Sequence, residues 1–351
     1  MRLPGTGDFN CRMLVTLARR FWFLALLLVV IPFGVFAPAG GRAIAGSGFA
    51  LPVLVACTLF VSGFLLDSRK ILRRILHVRA ILFTLFTTYA VAPAIAVVLC
   101  RLLGPEDGDS SATSVRFLEA QLIAATQAST LASAMAFTML ARGDEELALV
   151  LMVASNALTV FLTPLALALT LGASVTLPLG SMVARLSLVV LLPVALGQLA
   201  RRAFWNRAAP AASFLRQVPA AIMLVFVYTG TSSAAAELRT ESTLALRFLL
   251  VCATLHLSLI VWILALSAVL GLERPVRTAV LFSASQKTLP NGIYLWRGFF
   301  PENPYGALAL VIYHAFQLIT APLLLPLLGS SRQESIEESS RSWHNDGDAQ
   351  P

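Results

Sequence analysis

The stretch from Ser283 to Phe299 reads S-A-S-Q-K-T-L-P-N-G-I-Y-L-W-R-G-F, and its reading decides the fold. It lies within a hydrophobic span, yet its centre is Ser285-Gln286-Lys287-Thr288, followed by Pro290, Asn291 and Gly292. Lys287 is the one Lys or Arg that the span assignment leaves at membrane depth. An ammonium there costs at least ~2.5–3.5 kcal/mol, so by default an intramembrane lysine is functional. Pro290 removes an amide donor and Gly292 loosens the backbone. A broken helix at that depth is tolerated only where protein or a water-filled cavity surrounds it. Interrupted polar spans near the midplane are how many secondary transporters build a binding site.

Composition supports a membrane setting for this stretch. Of the 351 residues, 58% are hydrophobic and only 13% charged, against about 25% charged in soluble domains. The chain therefore reads as an all-α polytopic membrane protein whose partner is the lipid bilayer. Its formal net charge of +8 sits in short loops between spans. That placement fits topology and anionic lipid rather than nucleic acid. Cys11, Cys57, Cys100 and Cys252 lack metal-ligand spacing and read as small apolar residues. No HExxH, GxSxG, Walker A or dinucleotide-binding motif occurs, so neither a soluble-enzyme reading nor an ATP-driven pump within this chain is supported. The expectation is no enzyme, no cofactor and no metal.

Working outward, hydrophobic windows long enough for a ~30 Å core predict ten transmembrane helices. The first five are Phe21–Pro38, Ile44–Leu66, Ala80–Leu103, Phe117–Ala141 and Leu147–Leu171. The second five are Val183–Ala203, Val218–Ala236, Leu246–Gly271, Thr278–Phe299 and Gly306–Leu328. Residues 1–20 form a basic leader. Arg19-Arg20 and the apolar run after it resemble a secretory signal, but that run takes its place in an internal repeat and reads as the first span. Residues 329–351 are Ser-rich and charged, which predicts a disordered cytoplasmic tail. Most Lys and Arg fall in loops on one side, which predicts an even number of spans with both termini cytoplasmic.

The halves at 21–171 and 183–328 look related. Pro52 and Gly63 match Pro219 and Gly230 at one common spacing. L-A-R-G (Leu140 to Gly143) answers L-W-R-G (Leu295 to Gly298). Asn156, Thr159 and Pro164 in the fifth span match His314, Gln317 and Pro322 in the tenth, again at one spacing. A repeat of five spans must have inverted topology, and inverted repeats with helices interrupted at equivalent positions mark transporters.

The candidate site follows from that symmetry. Thr126 to Thr138 in the fourth span is rich in hydroxyls, including Ser129, Thr130 and Ser133. Small residues of this kind also serve helix packing in lipid, but the repeat sets the run opposite Ser283–Asn291. The candidate residues are Ser129, Thr130, Ser133, Ser155, Asn156, Thr159, Ser283, Ser285, Gln286, Lys287, Thr288, Asn291, His314 and Gln317. Lys287 lies too deep to snorkel easily. Its ammonium could replace a bound sodium ion, contact an anionic substrate, or give up its proton and couple transport to protons. Asn156 with Thr159, and His314 with Gln317, share helix faces and could line a cavity. His256 reads as structural, and Glu119 as an interfacial residue paired with Arg116.

These residues resemble the sodium/bile-acid symporter superfamily, in its SBF-like branch. The resemblance rests on Lys287-Thr288-Leu289-Pro290-Asn291-Gly292-Ile293 and on Ile312-Tyr313-His314 with Gln317. F-V-S-G-F-L-L (Phe60 to Leu66), Ser155 to Pro164, and G-Q-L-A-R-R (Gly197 to Arg202) add to it. It implies a ten-span fold with a panel of spans one, two, six and seven. The core would hold spans three to five and eight to ten, with the fourth and ninth crossing. It further implies transport of an organic anion by alternating access, with sodium or a proton as coupling ion. The membrane would be the plasma membrane or a cell inner membrane, or else an endomembrane. Two departures matter. Phe282 falls near the position where sodium-coupled relatives carry Glu, which argues against sodium. Ala128-Ser129-Thr130 replaces a Pro-rich turn in the fourth span, which predicts a gentler break there or none. The branch also offers a second reading, a non-transporting regulator of cellular calcium entry.

Overall fold

The structure is a computed structural model that describes residues 25–67, 74–105, 111–130, 133–172 and 177–329. The leader, the tail and Cys11 lie outside the described residues. The described residues are helical, with one isolated antiparallel bridge between Ser129 and Lys287. Helix α1 is Ala25–Phe36 and α2 is Ala39–Gly46, set at 87° to it. Helix α3 is Ala50–Leu65, and α4 runs Val78–Leu103 through a π turn at Thr87–Val91. Next come α5 (Ser111–Ala125), α6 (Ser133–Leu140) and α7 (Glu145–Leu171). Helix α8 covers Leu179–Leu215, with its own π turn at Ser187–Leu191. After it come α9 (Gln217–Ser233), α10 (Ala235–Thr240) and α11 (Ser242–Val269). Last are α12 (Arg274–Ser285), α13 (Leu289–Phe299) and α14 (Gly306–Gly329).

Five of these helices are long and apolar enough to cross a membrane, or six if the bent pair α1–α2 is one span. The other expected windows fall on α3, α9 and the two interrupted pairs α5–α6 and α12–α13. At 1.5 Å per residue, no half of an interrupted pair reaches across a ~30 Å core alone.

Local sequence explains where the helices begin and bend. Asp144 caps α7 by accepting from the Leu147 amide at 2.9 Å, with Glu145 and Glu146 in the first turn. Acidic side chains there complement the helix dipole. Pro290 sits in the first turn of α13, where its missing N–H is no loss. Each π turn precedes a proline. In α4 the Ala92 amide reaches back to the Thr87 carbonyl. The next donor in that register would be Pro93, which has none, so the Thr88 carbonyl is left free. Pro193 repeats the arrangement after Ser187–Leu191 in α8.

The helices pack as two groups. In the first, α3 lies along α8, and α9 lies on both α2 and α3. Glycines allow the close approach. A Cβ on Gly63 would stand 2.7 Å from the Val194 carbonyl oxygen, and one on Gly197 would strike the Phe60 carbonyl. Gln198 donates to the carbonyls of Gly63 and Leu66, and Arg201 to those of Phe64 (3.0 Å) and Leu65 (3.2 Å). The F-V-S-G-F-L-L and G-Q-L-A-R-R motifs are thus partners: the second caps the free carbonyls at the end of the first. Tyr228 of α9 donates to the Ala37 carbonyl (2.9 Å) and stacks on Phe33 of α1. The second group holds α4–α7 and α11–α14, with α14 against α5 and α11, and α12 against α6, α7 and α11.

Three sequence expectations are resolved here. Cys57 is exposed, Cys100 half-buried and Cys252 buried, all as free thiols. His256 is buried, with Nδ1 3.3 Å from the Tyr313 hydroxyl. The expected Glu119–Arg116 pairing is corrected: Glu119 accepts from Asn303 Nδ2 at 2.9 Å, and Asn303 also bonds the Arg116 carbonyl. The Arg116 side chain is exposed, and the buried Asn303 amide takes the carboxylate instead.

Candidate functional site

Both interrupted helices break at the same place, and the breaks hold each other. The α5–α6 break needs no proline. Side chains bond the carbonyls of the last turn of α5, with Thr126 Oγ1 on Leu122 at 2.8 Å, beside the Thr126 amide, and Gln127 Nε2 on Ile123 at 2.7 Å. The gentler break expected from Ala128-Ser129-Thr130 is therefore corrected: α5 and α6 are separate helices. Thr130 and Ser133 start α6, the Ser133 amide donating to Thr130 Oγ1 at 3.3 Å. The extended residues pair across the crossing, where the Thr288 amide donates to the Ala128 carbonyl at 2.8 Å beside the Ser129–Lys287 bridge. Ser133 Oγ adds a bond to Gln286 Oε1 at 2.7 Å.

A long helix follows each break and clamps it. From α7, Asn156 Nδ2 donates to the Ser129 carbonyl at 2.8 Å, and Ser155 Oγ accepts the Ser129 amide at 3.3 Å. From α14, Gln317 takes the Lys287 amide on Oε1 at 2.7 Å and donates from Nε2 to the Lys287 carbonyl at 2.9 Å. The interval from Ser129 to Lys287 equals that from Asn156 to His314 and from Thr159 to Gln317. The bridged pair thus stands at matching positions in the two halves, whereas the clamps do not: Asn156 aligns with His314, and Gln317 aligns with Thr159, one turn further along α7. Thr159 acts one step back, bonded to Thr163 (2.9 Å), whose hydroxyl reaches the Thr126 carbonyl (2.7 Å). Gln317 Nε2 also lies 2.8 Å from His314 Nδ1, which places the imidazole proton on Nε2.

Lys287 is 2% exposed. Its Nζ lies 3.3 Å from the Thr88 carbonyl, the one that the π turn and Pro93 leave free. Sequence reasoning missed Thr88. The available signal was Pro93 inside a span, a few residues after Thr87-Thr88. Phe282, near the carboxylate position of the sodium-coupled pattern, is buried against Phe137 with ring centroids 5.8 Å apart.

Several buried polar atoms beside the crossing have no protein partner among the described residues. They are Ser129 Oγ, Ser283 Oγ, Gln286 Nε2, Asn291 Nδ2 and His314 Nε2. Buried polar groups are rarely left without a partner. A cavity of about 20 Å³ opens between the two helix groups at this point. Thr58 and Leu59 of α3, Met223 of α9, and Asn156, Thr288 and Asn291 line it. That volume admits about one water molecule. The fourteen residues picked from sequence thus gather at the two breaks and their clamping helices. Ser283 and Ser285 sit in the last turn of α12, where Ser285 Oγ bonds the Leu281 carbonyl at 2.6 Å.

A multi-pass helical protein with a lysine buried where two broken helices cross belongs among the membrane transporters. The chain belongs to the SBF-like CPA transporter family, whose model matches residues 21–330. It is similar to sodium/bile acid cotransporter 7 of Mus musculus, 25% identical over 91% of this chain and 96% of the relative. The same cotransporter of Xenopus tropicalis is 24% identical over 91% and 95%. An uncharacterized protein of Pseudomonas aeruginosa is 28% identical over 89% and 94%. This membership makes the chain a transporter and not an enzyme, in line with the sequence reading.

Proposed function

We propose that the chain is a secondary transporter of a small organic anion, working by alternating access of the α1–α3, α8–α9 panel against the remaining core. In this reading the fold is ten spans in two inverted repeats with both termini cytoplasmic, in a plasma or inner membrane. Lys287 is the fixed positive charge at the crossing, standing where sodium-coupled relatives hold an ion. The carrying observation is its burial beside the bridge, with Nζ on the Thr88 carbonyl. A protein that keeps a cation this deep, next to unpartnered donors on Asn291 and His314, suits a ligand bearing negative charge. The N-terminus of α13, at the cavity, adds the positive end of a helix dipole. The relatives' name, sodium/bile acid cotransporter, supports an organic anion. Phe282 in place of a carboxylate argues against sodium and favours a proton as the coupling ion, exchanged at His314 while Lys287 keeps its charge.

The test is thermal denaturation of the purified protein and of Lys287→Met with a panel of carboxylates and sulfonates, taurocholate included. A ligand at a hundred times its Kd stabilises the folded state by about 2.7 kcal/mol. The reading expects at least one anion to raise the wild-type midpoint saturably and to leave Lys287→Met unmoved. An anion that stabilises both equally would place the binding site elsewhere.

A further inference from the structure

If the two halves are equivalent, α3 corresponds to α9, α6 to α13 and α7 to α14. Panel and core should then touch in matched ways above and below the crossing. They do not. Helix α13 packs on both α3 and α9, and α14 packs on α9. Among the described residues, α6 makes no comparable packing with α3 or α9, nor does α7 with α3. Among the described residues, the seam between the groups is closed toward the Phe299 end and sparsely packed toward the Leu140 end.

The closed side meets at a glycine. A Cβ on Gly230 of α9 would lie 2.5 Å from Val311 Cγ2 of α14 and 3.4 Å from Ile293 Cδ1 of α13. Val311 is 6% and Ile293 1% exposed, so neither has open space to retreat into. A β-branched valine is stiff at χ1 and cannot swing aside, and packed interiors accept an added methyl poorly. The counterpart Gly63 does not share this role. It faces Val194 of α8, inside the panel. Gly230 is thus a close glycine contact of the panel against the core itself, and it falls on the closed side.

We infer that the structure is the state closed on the outer side and open toward the cytoplasm, and that Gly230 is the contact that lets the outer seam shut. The inference rests on the alternating-access reading and adds to it the direction of opening and the residue that sets it. Adding a methyl at Gly230 disfavours this state and shifts the population toward one open outside. Removing methyls from Val311 restores closure.

The experiment uses the full chain with its native cysteines replaced and Ile293→Cys as reporter at the outer seam. A membrane-impermeant maleimide is applied from outside to intact cells. The reporter is protected when residue 230 is glycine. With Gly230→Ala it labels about tenfold faster, the scale on which overpacking shifts a two-state population. With Gly230→Ala and Val311→Ala together, protection returns. Unchanged labelling in Gly230→Ala, or faster labelling that Val311→Ala does not reverse, overturns the inference. Should Gly230→Ala not fold, Val311→Ile crowds the contact from the other side and must speed labelling in the same way. Anion binding is measured separately, so a transporter whose substrate is not an anion still shows this pattern. Conversely, an anion-binding chain whose seam closes elsewhere does not.

Discussion

Replacing Gln317 with Ala tests how the crossing is held. Gln317 is fully buried, accepts the Lys287 amide at 2.7 Å and donates to the Lys287 carbonyl at 2.9 Å. Truncation strands both backbone groups. A buried donor or acceptor left unsatisfied costs about 1–3 kcal/mol, so the pair costs roughly 2–6 kcal/mol. With an unfolding entropy of about 2.1 cal/mol/K per residue over 351 residues, each kcal/mol moves the midpoint by about 1.4 °C. The expected fall is therefore roughly 3–8 °C, read by tryptophan fluorescence during thermal denaturation in detergent. Gln317→Glu falls at least as far, because it sets an oxygen against the Lys287 carbonyl. Thr320→Ala is the control. The Thr320 hydroxyl bonds only carbonyls of its own helix, Phe316 at 3.0 Å and Gln317 at 3.2 Å, so a change within about 1 °C is expected. A Gln317→Ala midpoint equal to that of the control would refute the clamp.

The clamp from α7 predicts that Asn156→Leu, which strands the Ser129 carbonyl, lowers the stability by an amount comparable to one lost bond, about 1–3 kcal/mol, read as a lower midpoint. Pro93→Ala restores an amide that competes with Lys287 for the Thr88 carbonyl. The variant should be as stable as wild type or more so, since proline costs a helix about 3 kcal/mol, yet lose the stabilisation by anions; unaltered anion binding would separate the lysine's seat from its function. Gly197→Ala drives a methyl into the Phe60 carbonyl and should cost about 1–3 kcal/mol. A normal melting curve would show that α3 and α8 can part without loss.

Much of the site was legible because its residues break local rules. A lysine, a proline and an asparagine inside an apolar run cannot be explained by packing, and they led to Lys287, Pro290 and Asn291. The repeat supplied the partners: Asn156 and Gln317 were picked as cavity-lining residues, and the structure shows their amides engaged with the backbone of the breaks. Three features were hidden for physical reasons. The α5–α6 break has no proline or glycine at its centre. It exists because Ser129 pairs across the crossing with a residue far along the chain, a tertiary bond that no local pattern announces. The seat of the lysine is a backbone carbonyl, and carbonyls are the same in every residue; only Pro93, by removing a donor, marks Thr88. The seam glycine Gly230 was noticed as half of a repeat pair, but which face it turns to the core depends on helix packing.

The central claim is that a protein-borne cation stands at the crossing in place of sodium. Titrating sodium chloride against choline chloride at constant ionic strength, and following the melting midpoint of wild type and Lys287→Met, tests it without knowledge of the substrate. The account predicts a wild type indifferent to sodium. Lys287→Met, with the charge removed and the Thr88 carbonyl vacated, either gains a sodium-dependent rise or stays indifferent. A saturable, sodium-specific rise in the wild-type midpoint would contradict it, because the ion would then have a site that Lys287 does not occupy.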